Sequence, residues 1–211
     1  THEGFYYVDE ERGIVRHVHK PEISSNLIFC ITAWRGVFYV GTYHGGAYIF
    51  DPEHCSVRRF GPPETAGESV FDMEVGPDNS LWVATSSGVY RFDKPGGQVS
   101  AVYTSANSHL PSGNVYEIFF DSRGRGWLCT EQGMALWNGH TISATGFPKD
   151  FPSNSKIRAV YEDSRHRLYF VPDRGAIRQS NIELSRISVL GDESDDRFKM
   201  RTFVTEDIDG G

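Results

Sequence analysis

The chain has 211 residues and no run of eighteen apolar ones, so no segment has the length and apolarity of a membrane-spanning helix. Cysteine is scarce: Cys30, Cys55 and Cys129 are all there is. An odd count without Cys-x-x-Cys spacing supports neither a disulfide framework nor a zinc site, and reads as free thiols. Basic clusters are missing as well. With 21 Lys and Arg against 28 Asp and Glu, the formal charge is −7. That excludes the basic footprint of a nucleic-acid-binding domain and the basic amphipathic helix of a membrane-surface binder. No Gly-x-Ser-x-Gly elbow, His-Glu-x-x-His or phosphate loop occurs, so no catalytic residue is assigned. Thr1-His2-Glu3-Gly4 opens in the middle of a repeat, so the chain is expected to be a piece of a longer one, and its start says nothing about where the parent resides.

What is present is a core and a period. Hydrophobic residues make up 38% and aromatics 13%, enough for a packed β protein. One phrase is written five times: an apolar strand, an Asp/Gly turn, a strand with a central aromatic, Thr, two polar residues, Gly, another strand. The glycine recurs at Gly4, Gly46, Gly88, Gly133 and Gly175, and the aromatic at Tyr39, Trp82, Trp127 and Tyr169. A period in the low forties built from short strands marks β-propeller blades. The expected fold is therefore all-β: a propeller segment of four-stranded antiparallel blades forming an incomplete ring.

With the strands of a blade called a to d, strand a is expected at Leu27–Thr32, Val70–Val75, Val115–Phe120, Ile157–Tyr161 and Arg201–Thr205. The following turns, such as Asp121-Ser122-Arg123-Gly124 and Asp163-Ser164-Arg165-His166, use residues that accept positive φ or bond their own backbone. One copy, Ala33-Trp34-Arg35-Gly36, has lost its Asp. The resulting division is strands c and d of a blade in 1–25, whole blades in 26–68, 69–113, 114–155 and 156–198, and strand a of a further blade in 199–211. Unpaired sheet edges at the two ends invite another copy of the chain, so a homodimer is expected alongside the remaining blades of a parent.

The wording of the repeat narrows the family. Leu110-Pro111-Ser112-Gly113-Asn114-Val115, Phe120-Asp121-Ser122-Arg123-Gly124, Gly126-Trp127-Leu128-Cys129-Thr130 and Gly133-Met134-Ala135-Leu136-Trp137-Asn138 together resemble the two-component regulator propeller repeat. Ser80-Leu81-Trp82-Val83-Ala84-Thr85 with Gly88-Val89-Tyr90-Arg91-Phe92-Asp93 repeats it. Tyr169-Phe170-Val171-Pro172 departs, replacing the usual Trp and Thr. The resemblance implies the periplasmic sensor region of a hybrid two-component histidine kinase of Bacteroidetes type, part of an inner-membrane protein. It implies an oligosaccharide as ligand, no cofactor, and no enzymatic activity in this segment, the kinase lying in a separate domain.

In a propeller the d–a and b–c loops share one face, where ligands bind. The b–c positions are His2-Glu3, Tyr43-His44, Ser86-Ser87, Glu131-Gln132 and Asp173-Arg174. From these, Tyr43, His44, Glu131, Gln132, Asp173 and Arg174 form the candidate ligand set: Tyr43 to stack on a sugar, the acids and amides for hydroxyls, Arg174 as a fork donor. Solvated loop tips that bind nothing remain the plainer alternative. His17 and His19 share a strand face without a third ligand, and Asp207-Ile208-Asp209-Gly210 lacks the closing Glu of a calcium loop, so no metal site is assigned. The aromatic column inside strand b is assigned to the core. Two other classes stay open: a propeller-fold lyase or glycan-active enzyme, with His44 and Glu131 or His2 and Glu3 as its acid–base pair, and a scaffold module.

Overall fold

A computed structural model describes residues 2–96, 98–145, 147, 151 and 155–190. The chain divides into two compact units, Thr1–Tyr103 and Thr104–Gly211. Among the described residues the regular structure is strand, apart from one short 3-10 helix at Pro63–Gly67. The expected fold class is observed: four-stranded antiparallel meanders, the blades of a β-propeller, none of them closed on itself.

The first unit opens with a two-stranded sheet, β1 (Phe5–Asp9) and β2 (Ile14–Val18). A four-stranded sheet follows, made of β3 (Ile28–Trp34), β4 (Val37–Thr42), β5 (Ala47–Asp51) and β6 (Ser56–Phe60) in sequence order. The next contains β7 (Val70–Val75), β8 (Leu81–Thr85), β9 (Val89–Phe92) and β10 (Ala101–Tyr103). In the second unit one sheet holds β11 (Val115–Phe120), β12 (Gly126–Thr130), β13 (Gly133–Trp137) and β14 (Ile142–Ser143). The other holds β15 (Ile157–Glu162), β16 (Arg167–Pro172), β17 (Ile177–Asn181) and β18 (Ile187–Leu190). The outer strands β10 and β14 are short: Val99 and Ser100 precede the first, and Ala144 and Thr145 follow the second. Strand a at Arg201–Thr205 and the turn at Asp207–Gly210 lie outside the described residues.

Continuous apolar wording produces strands buried on both faces. Both β8 and β12 are buried along their whole length, as sheets packed between neighbours require. In the first unit Trp34, Tyr39, Phe60, Met73, Leu81 and Phe92 form one core cluster between the β3–β6 and β7–β10 sheets. Inner strands are also joined by side chains. Thr32 donates to the Met73 carbonyl at 2.6 Å in the first unit, and Glu117 accepts the Val160 N–H at 2.9 Å in the second. Beside β1 the first unit leaves an apolar groove of about 280 Å³, lined by Tyr6, Val8, Ile31 and Phe38 among others. It borders the edge of a sheet that has two strands where the others have four.

The repeating glycine has a backbone reason. Gly4, Gly46, Gly88, Gly133 and Gly175 have φ of 86°, 72°, 144°, 133° and 92°, a region that side chains with a Cβ enter only at a cost.

Candidate functional site

At the end of each sheet where strand b turns into strand c, a local network ties the turn to the start of strand a. The threonine closing strand b donates its hydroxyl to the glycine carbonyl: Thr42 to Gly46 at 2.8 Å, Thr85 to Gly88 at 3.0 Å, Thr130 to Gly133 at 2.7 Å. The first turn residue then donates its N–H to the residue preceding strand a. The pairs are Tyr43 to Leu27, Ser86 to Ser69, Glu131 to Asn114 and Asp173 to Lys156, at 2.8 to 3.1 Å. The b–c turn and the entry to strand a thus share one end of each sheet.

A β-bulge sits at that same end. The pairing of strand a with strand b slips between Ile28 and Cys30, Val70 and Asp72, Val115 and Glu117, and Ile157 and Ala159. One residue per sheet is left out of the ladder: Phe29, Phe71, Tyr116 and Arg158. A bulge re-aims the side chain it frees. These four were not among the residues expected from the sequence, because a bulge does not interrupt an apolar run. The available signal was an aromatic second residue of strand a in three copies out of four.

In the first unit the freed rings meet the expected turn residues. Phe29 and Phe71 stack with centroids 5.7 Å apart and planes 18° from parallel. Tyr43 lies 5.5 Å from Phe29, and His44 lies 4.0 Å from Tyr43. Phe29 is 49% exposed and Tyr43 38%, so the cluster presents aromatic surface to solvent. His44 sits at φ 50° and donates its N–H to the hydroxyl of the buried Ser69 at 3.2 Å, which fixes the turn. Toward the other end of β7, burial and the charge of Asp72 push the Glu74 carboxyl up to about 7.

The second unit carries a different chemistry at the equivalent end. Lys156 Nζ lies 4.4 Å from the Tyr116 ring centroid and the Arg158 guanidinium 5.6 Å from it. Arg158 Nε donates to Asp173 Oδ1 at 2.5 Å. That bond, opposed by partial burial and aided by the charges of Arg158, Lys156 and Arg174, holds the Asp173 carboxyl below its ordinary value. Glu131 Oε2 accepts a bond from Asn114 Nδ2 at 2.7 Å. Gln132 donates its N–H to the Thr130 hydroxyl at 3.3 Å, and both Gln132 and Arg174 are exposed. So Tyr43 and His44 are brought together with Phe29 and Phe71, whereas Asp173 and Arg174 are brought together with Arg158 and Lys156.

Elsewhere the expected core column is buried at Tyr39, Trp82 and Trp127, and Tyr169 is half-buried. His17 stacks on Tyr6 at 4.0 Å and bonds the Glu3 carbonyl at 2.8 Å. Among the described residues no group of three His, Cys, Asp or Glu is placed to hold a metal ion. The cysteines are free.

No family model and no curated protein matches the chain in sequence. Solved structures do resemble it. With the extracellular domain of a hybrid two component system from B. thetaiotaomicron the TM-score is 0.70 at 21% identity, over 84% of this chain and 25% of that one. With PorZ, a surface component of the type-IX secretion system of Porphyromonas gingivalis, it is 0.69 at 14% identity, over 90% and 31%. With virginiamycin B lyase from Staphylococcus aureus it is 0.65 at 14% identity, over 90% and 63%. The chain therefore spans between a quarter and just under two thirds of these proteins, and what it shares with them at such identity is the fold.

Proposed function

We propose that this chain is a ligand-sensing propeller segment from the extracytoplasmic part of a hybrid two-component sensor, and that its ligand is an oligosaccharide. The observation that carries the reading is the solvent-facing Phe29–Phe71–Tyr43 cluster, held at the loop end of the first unit by bulges and by the Ser69–His44 bond. A pyranose ring offers C–H faces of the size of an aromatic ring and a rim of hydroxyls. Exposed stacked aromatics with polar turn residues beside them suit both surfaces. The likeness in fold to an extracellular domain of a hybrid two component system supports the sensor role and the location outside the cytoplasm. Signalling then follows from a difference in ligand affinity between two states of the parent, since binding biases whichever state it favours.

A specific observation also favours a second reading, that of an enzyme: a lyase shares the fold, and His44 is exposed beside the aromatic cluster. One experiment separates the two. The 211-residue chain is titrated calorimetrically with cello-, malto-, xylo- and galacturono-tetraose, and each mixture is then examined for cleavage products. Binding without cleavage is expected, with Phe71→Ala and Tyr43→Ala each weakening it about tenfold, or ~1.4 kcal/mol. Absence of binding at millimolar sugar overturns the saccharide reading, and cleavage that is lost in His44→Ala replaces the sensor with the enzyme.

A further inference from the structure

The second unit points to the charge of the ligand. In a chain of formal charge −7, the end of the β15–β16 hairpin away from its connecting turn gathers three cations: Lys156, Arg158 and Arg174. Two of them stand against the ring of Tyr116, 4.4 and 5.6 Å from its centroid. Like charges share such a position at a repulsive cost, which a ring quadrupole offsets only in part. The carboxylates at this end are already engaged. Asp173 takes the Nε–H of Arg158 at 2.5 Å, and Glu131 takes the amide of Asn114 at 2.7 Å. Lys156 and Arg174 have no ion-pair partner among the described residues, although both lie near enough to Asp173 for their charges to act on its carboxyl.

The geometry is that of an anion clamp. Asp173 holds Arg158 by its Nε, which leaves the terminal guanidinium nitrogens of a side chain that is 44% exposed able to turn to a ligand. The Asp173 N–H is bound to the Lys156 carbonyl at 2.8 Å, so the two loops carrying the cations are fastened together. Arg158 is also the residue that the bulge frees from the ladder in this sheet, where Phe29, Phe71 and Tyr116 stand in the other three. A planar fork, an ammonium group and a second guanidinium gathered at one end of a strand pair are a donor set suited to a carboxylate or sulfate.

We propose that this end of the β15–β16 hairpin is, within the second unit by itself, an anion subsite in which Lys156, Arg158 and Arg174 bind the acidic group of an acidic saccharide. The proposal rests on the saccharide reading above. Two sources share the chemistry, a uronate carboxylate and a sulfate ester, and the experiment distinguishes them.

The chain is titrated with tetragalacturonate, with its carboxyl-reduced neutral counterpart, and with a sulfated galactose tetrasaccharide that lacks carboxylates. The same is done for Lys156→Gln, Arg174→Gln and the double variant, with Arg165→Gln, an exposed residue of the turn between β15 and β16, as control. One acidic tetrasaccharide is expected to bind at least tenfold more tightly than the neutral one, and less tightly as salt rises. The double variant is expected to lose that advantage while keeping its affinity for the neutral sugar, which also shows that it is folded. Arg165→Gln is expected to behave as the parent chain. Equal binding of acidic and neutral sugars, or an acidic preference that survives the double variant, overturns the anion subsite and leaves the saccharide reading standing. Failure of every sugar to bind overturns both.

Discussion

Trp127 donates its indole N–H to Asp121 Oδ2 at 2.9 Å. The bond joins the two most persistent side chains of the repeat, the Asp of the a–b turn and the aromatic of strand b. In the last sheet Tyr169 OH donates to Asp163 Oδ2 at 3.0 Å. In the β7–β10 sheet a serine is interposed, with Trp82 donating to Ser80 at 2.8 Å and Ser80 to Asp78 at 2.5 Å. The β3–β4 turn has no Asp, and there the Tyr39 hydroxyl is buried without a partner among the described residues. The repeat is therefore conserved within the chain as a hydrogen-bonded pair, and where one half is missing the other is left unsatisfied.

Replacing Asp121 by Ala removes four bonds at once: those from Trp127, from the N–H of Arg123, and from the N–H and Nε of Arg125. The carboxylate side chain is fully buried, and breaking a buried ion pair costs about 3 kcal/mol or more. A urea titration of D121A should show that loss.

Tyr39→Phe and Tyr169→Phe should differ in sign. The first removes a hydroxyl that has no partner and should leave stability equal or raised by up to ~1 kcal/mol. The second removes bonds to Asp163 and from Gln179, and should cost about 1 kcal/mol. The two midpoints in urea, measured side by side, decide it.

Gly46→Ala places a Cβ at φ +72° and 2.9 Å from the Thr65 carbonyl oxygen, so neither the backbone nor the space accommodates it. A loss of about 2 kcal/mol is expected. Gly67→Ala meets nothing within 4 Å and has no such φ, and should be neutral or slightly stabilising. Thermal melts of the two variants test the contrast.

Glu74 should make stability fall with rising pH. Its carboxyl titrates near 7 in the fold against an ordinary value of 4.5. Below about 4.5 it is protonated in both the folded and unfolded chain and contributes nothing. Between 4.5 and 7 the unfolded chain releases the proton more readily, so stability is lost progressively and then levels off. Glu74→Gln should match the parent near pH 4 and exceed it at pH 8. A parent that is no less stable than E74Q at pH 8 would contradict this.

Period, strand type and much of the strand boundary were legible in the sequence because they are local. Strand spans such as Val70–Val75 and Val115–Phe120 coincide with the observed β7 and β11. The positive-φ glycine of each turn was visible as a spacing. The candidate site was legible only in part. Tyr43, His44, Asp173 and Arg174 lie in turns that the repeat marks, but Phe29, Phe71, Tyr116 and Arg158 are inside strands that read as ordinary inner strands. Glu131 and Asp173 were expected to meet sugar hydroxyls, yet each is first engaged by a neighbouring side chain, Asn114 and Arg158.

Alone, the amino-acid order determined the fold, since a repeated phrase of short apolar strands and tight turns has few ways to bury both faces of each strand. Which side chains leave the ladder, which carboxylates are already paired, and which cations stand over Tyr116 were decided only in three dimensions. Bulges and ion pairs join residues such as Arg158 and Asp173 across a hairpin, and that proximity depends on register, which no linear spacing carries.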